Sequence, residues 1–164
     1  MGKKNSHCSF CGNPFEEAQP WPRQCSACQE RSYVNPLPVA VVLVPVDKGL
    51  LMVRRAIEPR KGLLALPGGF INMGESWQQA GAREVMEETG LALDPDEIKD
   101  FRALSAPDGT VLIFGIAQPR SAASLTLLDS TDEALECLIL EQSEELGFPL
   151  HTQVVREYFA RLSQ

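Results

Sequence analysis

The stretch "GFINMGESWQQAGAREVMEETGL", residues 69–91, carries the signals on which the reading of this chain turns. Ser76 followed by Gln79 is a capping-box pattern, and Gly90 after Thr89 is a natural stop, so the spacing predicts a helix over 77–89. On that helix Glu84, Glu87 and Glu88 stand at i, i+3 and i+4 and fan over about 100° of one face. Val85, Ala82, Met86 and Thr89 collect on the other side and are expected to pack, with the small residues Ala80 and Gly81 one turn before the glutamates. Like charges so placed repel: at an effective dielectric near 20, two charges about 6 Å apart cost about 3 kcal/mol. Just ahead, Pro67, Gly68, Gly69 and Gly74 of "LPGGFINMGE" shape a loop that brings backbone carbonyls and Glu75 toward the helix. Carboxylates and a carbonyl are hard oxygen ligands, suited to Mg2+ or Mn2+, whose charge would offset the repulsion. The competing reading is an exposed charged helix face, although such faces usually alternate in sign. On these residues alone both readings stand.

Composition bounds the rest. The 164 residues, 44% of them hydrophobic, suffice for one good core and a small appendage. A net charge of −7 and a pI near 4.9 argue against sequence-independent binding of nucleic acid, which needs a basic surface. No stretch approaches the roughly 18 continuous apolar residues of a membrane span, and the N-terminus runs into Cys8 without a signal-peptide core. A soluble, cytoplasmic protein with no membrane partner is expected.

Cys8, Cys11, Cys25 and Cys28 form C-x2-C, thirteen intervening residues, C-x2-C, with Gly12 after the first pair where a tight knuckle turn is useful. This is a zinc-ribbon spacing. Two knuckles can close a tetrahedral four-sulfur site, which prefers Zn2+ and, having no open position, folds its segment without catalysing. Disulfides or free thiols are the alternative, disfavoured by the rarity of cytosolic disulfides. Cys137, within "ALECLIL", reads as a buried strand thiol.

The ribbon is assigned to 1–32, and "YVNPLP" (33–38), with two prolines that favour extended backbone, reads as a linker to a domain over 39–164. In that domain "VAVVLVPV" (39–46) has the pattern of a strand buried on both faces, and "LLMVRR" (50–55) follows the Asp47-Lys48-Gly49 turn as in a hairpin. "FRALSA" (101–106), "TVLIFGIA" (110–117) and "ALECLIL" (134–140) are further strands, and Val154, Val155, Tyr158, Phe159 and Leu162 recur at helical spacing. The elements predict an α+β domain.

From Gly69 the sequence reads G-x5-E-x7-R-E-V-M-E-E-T-G-L, with Gly69, Glu75, Arg83, Glu84, Val85, Glu87, Glu88, Gly90 and Leu91 at every specified place of the Nudix box. The chain therefore resembles the Nudix hydrolases over residues 38 to about 160. The resemblance implies an α/β/α sandwich with a mixed sheet, and hydrolysis of a nucleoside diphosphate linked to another moiety. It implies Glu84, Glu87 and Glu88 as Mg2+ or Mn2+ ligands, joined by the main-chain carbonyl of Gly68. It implies further that Arg83 and Glu75 orient those carboxylates and do not touch substrate. Glu84 is one candidate base, and Glu136 in "ALEC" resembles a downstream acidic ligand; a strand-edge glutamate is its plainer reading.

Ribbon, "YVNP" linker, box and "ALEC" together most resemble the FAD and ADP-ribose pyrophosphatases, which release AMP. A four-cysteine ribbon before the box also looks like the NADH pyrophosphatases, but their S-Q-P-W-type array downstream of the box is missing; "AQPWP" at 18–22 lies between the cysteine pairs. Pro107 stands close to where ADP-ribose pyrophosphatases carry a proline, and equally suits an ordinary turn. NADH or a nucleoside triphosphate is the alternative substrate. A ribbon that binds nucleic acid or protein, with incidental hydrolysis, is the alternative of another class. Family members are often homodimers.

Overall fold

The computed structural model describes residues 3–162, so the outer ends of the two expected segments, residues 1–2 and 163–164, lie outside the described residues. The chain divides into two compact units, 1–36 and 37–164. Among the described residues no helix is long and apolar enough to cross a membrane.

In the small unit, β1 (Arg23–Gln24) and β2 (Arg31–Ser32) pair antiparallel. Two turns of the same design carry the four cysteines. Gly12 N–H donates to Cys8 O at 3.0 Å and Cys8 N–H to Asn13 O at 2.8 Å; in the second turn Gln29 N–H donates to Cys25 O at 3.0 Å and Cys25 N–H to Glu30 O at 2.9 Å. The equivalent residues Gly12 and Gln29 both take the left-handed conformation, with φ of 75° and 65°. The second knuckle therefore holds a side-chain-bearing residue where the first uses glycine.

The large unit is built on β3 (Leu37–Leu43), β4 (Pro45–Val46), β5 (Gly49–Arg55), β6 (Leu64–Ala65), β7 (Gly68–Phe70), β8 (Lys99–Ser105), β9 (Thr110–Ile116) and β10 (Ala134–Leu140), with helices α1 (Trp77–Thr89) and α2 (Pro149–Leu162). One sheet has the order β7-β3-β9-β8 and is mixed, because β3 runs parallel to β9 and antiparallel to β7. The other has the order β10-β5-β4, with β6 also on β5.

Two expected boundaries shift. Leu37 and Pro38, read as linker, already belong to β3 and stand opposite Thr110 and Val111. The run 39–46 is not one strand: β3 joins the mixed sheet and β4 the antiparallel one, with the break at Val44 before Pro45, which has no N–H to offer a ladder. The hairpin across Asp47 and Lys48 is therefore made by β4 and β5.

Alternation along β3 places the helices on opposite faces. Val41 and Leu43 share a core with Val154, Val155 and Tyr158 of α2, whereas Val42 and Val44 pack with Ala82 and Val85 of α1. Leu50 and Met52 of β5 join the first core and Leu51 the second. The sequence run is apolar throughout because both faces are covered.

The face that α1 buries differs from the wheel reading. Met86, expected to pack, is 50% exposed, while Glu84 and Glu88 are 8% and 3% exposed. The buried stripe runs through Ala80, Gly81, Glu84, Val85 and Glu88, at helical spacing. Small residues decide it: a Cβ on Gly81 would stand 2.7 Å from Val42 Cγ2, so the helix lies close on β3 and carries two glutamates inward.

Candidate functional site

The capping box forms as the sequence predicts. Gln79 N–H donates to Ser76 Oγ at 3.1 Å, and Ser76 N–H to Gln79 Oε1 at 2.8 Å. Gly90 ends the helix at φ 76°, its N–H donating to Met86 O. These two caps set where α1 begins and ends.

Arg83 sits at the centre of the acidic group. Its Nε and Nη2 donate to the two oxygens of Glu75 at 2.7 and 3.1 Å, and its Nη1 to Glu84 at 2.7 Å and Glu87 at 3.0 Å. Nη2 also donates to the Phe70 carbonyl at 3.0 Å. One guanidinium thus holds three carboxylates and ties them to β7. The Arg83 guanidinium, with help from the Asn72 N–H, holds the Glu75 carboxyl well below the usual range, at about 2.

Glu88 has no such partner. Its carboxylate accepts from the Gly68 N–H at 3.0 Å and from no cationic side chain among the described residues. Burial first, then the nearby charges of Glu84 and Glu133, push its carboxyl up to about 8 despite that N–H. Burial also raises Glu84, although Arg83 stands beside it. The Glu84 carboxylate occupies the space a Cβ on Gly69 would need, which explains a glycine at that place.

A third carboxylate joins them from the loop that leads into β10. Ligand oxygens of Glu84, Glu88 and Glu133 all lie within 4.8 Å of one another. Thr131 delivers Glu133: its Oγ1 accepts from the N–H groups of Glu133 and Ala134 at 3.2 and 2.9 Å, and Ala56 N–H holds Glu133 O at 2.8 Å. Glu136, the downstream acid singled out in the sequence, lies outside the group. A register shift between Ala134 and Glu136 turns it to Arg54, which donates to it at 2.6 Å, and its side chain is half exposed. Glu133 sits in an irregular loop with no periodic signal, and only its proximity to the "ALEC" strand could have pointed to it. Glu87 stays 58% exposed on the outer side of Arg83. Gly68 meets Glu88 through its N–H.

Three buried or converging carboxylate oxygens with too few cations are a donor set suited to a hard divalent ion. In the small unit the donor set is different. Cys8 and Cys28 Sγ are 3.7 Å apart, Cys11 and Cys25 Sγ 3.6 Å, and all four sulfurs lie within 4.8 Å of one another. These separations are far from a disulfide bond of about 2.05 Å. They match the edges, about 3.8 Å, of a tetrahedron whose corners lie about 2.3 Å from a central zinc. The Cys11 backbone N–H draws the Cys8 thiol down to about 6. Cys28, although a Glu30 backbone N–H pulls it down, is pushed up to about 12 by burial and the other three sulfurs. A cluster that crowded holds four thiolates only around a cation.

Fold and site together define an α+β sandwich whose central helix turns an acidic face toward the loop before it. Residues 35–115 match the family model of the NUDIX domain, and the chain belongs to the Nudix hydrolase family. It is 34% identical over 105 residues to the NAD-capped RNA hydrolase NudC of Salmonella heidelberg (strain SL476), an alignment covering 63% of this chain and 38% of that one. The NudC of Klebsiella pneumoniae (strain 342) matches with the same identity and shares. The chain thus spans 38% of the length of these curated relatives. Among solved structures, a Nudix hydrolase from Nitrosomonas europaea superposes with a TM-score of 0.78 over 95% of this chain and 91% of that one, at 24% identity. A bifunctional NMN adenylyltransferase/ADP ribose pyrophosphatase from Francisella tularensis, complexed with AMP and a manganese ion, is 28% identical with a TM-score of 0.58, covering 66% of this chain and 34% of that one.

Proposed function

We propose that the chain is a Mg2+- or Mn2+-dependent pyrophosphohydrolase that splits the diphosphate of a nucleoside diphosphate derivative, ADP-ribose or FAD in the first place, and releases AMP. The observation that carries the reading is the convergence of Glu84, Glu88 and Glu133 on one point beside the Arg83-ordered box. Glu84, Glu88 and Glu133 are the proposed ligands, with Glu87 approaching from the exposed side and the Gly68 carbonyl carried over from the family resemblance. Glu133 takes the place first given to Glu136.

A divalent cation held there supplies charge neutralisation at the diphosphate and acidifies water. The chain's own residues do the rest. Arg83 and Glu75 keep the Glu84 and Glu87 carboxylates in place during turnover. Glu84, held in place by Arg83, is the candidate base for the attacking water, and activity rises toward alkaline pH as that water loses its proton more readily. The products are AMP with ribose 5-phosphate from ADP-ribose, or AMP with FMN from FAD. In the small unit we assign one structural Zn2+ to Cys8, Cys11, Cys25 and Cys28. We keep the ribbon at 1–32, and the large unit starts at Leu37, where β3 begins, and not at 39.

NADH or an NAD-linked compound is the second reading, favoured by the relatives named as NAD-capped RNA hydrolases. One panel decides between them: ADP-ribose, FAD, NADH, an NAD-capped RNA and a nucleoside triphosphate, each with Mg2+ and with Mn2+, products separated by chromatography. Efficient cleavage of NADH or the capped RNA with neither ADP-ribose nor FAD touched moves the substrate to the second reading. No cleavage of any diphosphate with either ion refutes the enzymatic reading.

A further inference from the structure

The chain changes sheets between β6 and β7. Leu64 and Ala65 pair with Arg54 and Val53 of β5, and Gly68, Gly69 and Phe70 with Val41, Ala40 and Val39 of β3, so Leu66 and Pro67 cross from one sheet to the other. Buried backbone groups at such a crossing lie outside both ladders and still need partners. Pro67 has no N–H, and its carbonyl accepts from Val42 N–H at 2.9 Å. The Leu66 N–H takes no backbone acceptor among the described residues; it donates to Nδ1 of His151 at 3.2 Å, and both residues are buried.

His151 lies in the first turn of α2. Just before it, Gly147 N–H donates to Leu64 O at 2.8 Å, so the start of α2 serves one edge of this segment at Leu64 and again at Leu66. The imidazole stands edge-on to Phe114, with centroids 5.6 Å apart at 81°, and tilted against Phe148 at 5.1 Å. Burial, with the charge of Arg55 adding to it, holds the ring's pKa down at about 3, so it stays neutral and keeps an acceptor at neutral and alkaline pH. Two residues past Leu66, the Gly68 N–H makes the one hydrogen bond of the Glu88 carboxylate among the described residues. Gly68 is seated without slack, since a Cβ on it would stand 2.4 Å from Ala40 O. What fixes the crossover therefore fixes the group that aims Glu88.

We propose that His151 is a positioning residue for the cation site: by accepting from the Leu66 N–H it holds the crossover between β6 and β7, and through the Gly68 N–H it sets the Glu88 carboxylate against Glu84 and Glu133. The assignment deepens the proposed function and rests on it in taking Glu88 as a cation ligand.

The test is calorimetric titration of Mn2+ into the full-length protein, dialysed free of Mg2+ and Mn2+ without a chelator, as wild type, His151→Phe and His151→Asn. Phenylalanine keeps a ring against Phe114 and Phe148 but offers no acceptor. Asparagine gives up the ring, but its Oδ1 stands as many bonds from Cα as Nδ1 does and can accept. Glu88→Gln marks the loss of the site. Mn2+ affinity is expected to fall about tenfold to hundredfold in His151→Phe and to stay within about threefold of wild type in His151→Asn. A ring that only fills space gives the opposite order, because asparagine empties volume that phenylalanine occupies. In wild type, 15N NMR of the imidazole should show Nε2 protonated and Nδ1 bare. A proton on Nδ1, His151→Phe within about twofold of wild type, or the opposite order of the two variants overturns the assignment, and the NMR reading holds even where a variant does not fold. Wild-type Mn2+ binding that is absent, or that is unchanged in Glu88→Gln, removes the carboxylate cation site and this assignment with it. Turnover enters none of these readings, so the expected order in a protein that cleaves no diphosphate keeps His151 and removes the hydrolase reading.

Discussion

Glu88→Gln, in protein dialysed free of Mg2+ and Mn2+ without a chelator so that tightly held zinc stays, is expected to be the more stable protein at pH 8. Glu88 is 3% exposed and faces no cationic partner, and burial pushes its carboxyl from 4.5 to about 8. The folded state therefore keeps a proton that the unfolded chain releases between those values. Native protein binds more protons than unfolded over this window, so the stability contributed by the neutral carboxyl is present in full below about pH 4.5 and is lost as pH rises through about 8. At about 1.4 kcal/mol per unit, the loss between pH 5 and pH 8 comes to about 3 kcal/mol. That is a large part of the roughly 5–15 kcal/mol that hold a domain folded. The carboxamide keeps the shape, its oxygen accepts from Gly68 N–H, and the carboxylates of Glu84 and Glu133 stand near as acceptors for its amide hydrogens. Urea unfolding followed by far-ultraviolet circular dichroism at pH 5, 6, 7 and 8 measures both proteins. The gap should open with pH, and saturating Mg2+ should close it by stabilising the wild type alone. A difference that is the same at pH 5 and pH 8, or a variant less stable than wild type at pH 8, would refute the claim that Glu88 carries an uncompensated desolvation cost.

Glu133→Gln should remove most activity at limiting Mg2+, whereas Glu136→Gln, which breaks only a half-exposed pair with Arg54, should stay within a few fold of wild type; the reverse order in steady-state assays returns Glu136 to the site. Elemental analysis should find one zinc per chain, and Cys25→Ser should abolish it and unfold residues 1–36 while the melting of the large unit stays in place. Ser76→Ala removes the acceptor for Gln79 N–H and should cost about 1 kcal/mol in urea unfolding, with Ser76→Thr costing much less.

Much of the local structure was legible because it is local. The capping box, the αL glycine and the 3.6-residue spacing are decided within a few residues, and the bounds 77–89 of α1 stand as read. The four-cysteine spacing likewise brings the sulfurs together, since each knuckle turn is made by its own five or so residues. Other features depended on what lies across the fold. Hydrophobicity marked Met86 as core, but the close seat of Gly81 on Val42 turned the helix so that Glu84 and Glu88 went in and Met86 stayed out. Nothing in "VAVVLVPV" announces that it splits between two sheets, because β3 takes distant β9 as its parallel partner while β4 turns back on its neighbour β5. Glu133 lies 45 positions beyond Glu88, in a loop without periodicity, and a bulge of one residue set it, and not Glu136, over the carboxylates of α1. The acidic helix face was thus written in the box itself, as residue types at fixed spacing. Which acids converge on α1 was settled only when the two sheets packed, because contact and desolvation are properties of the assembled core.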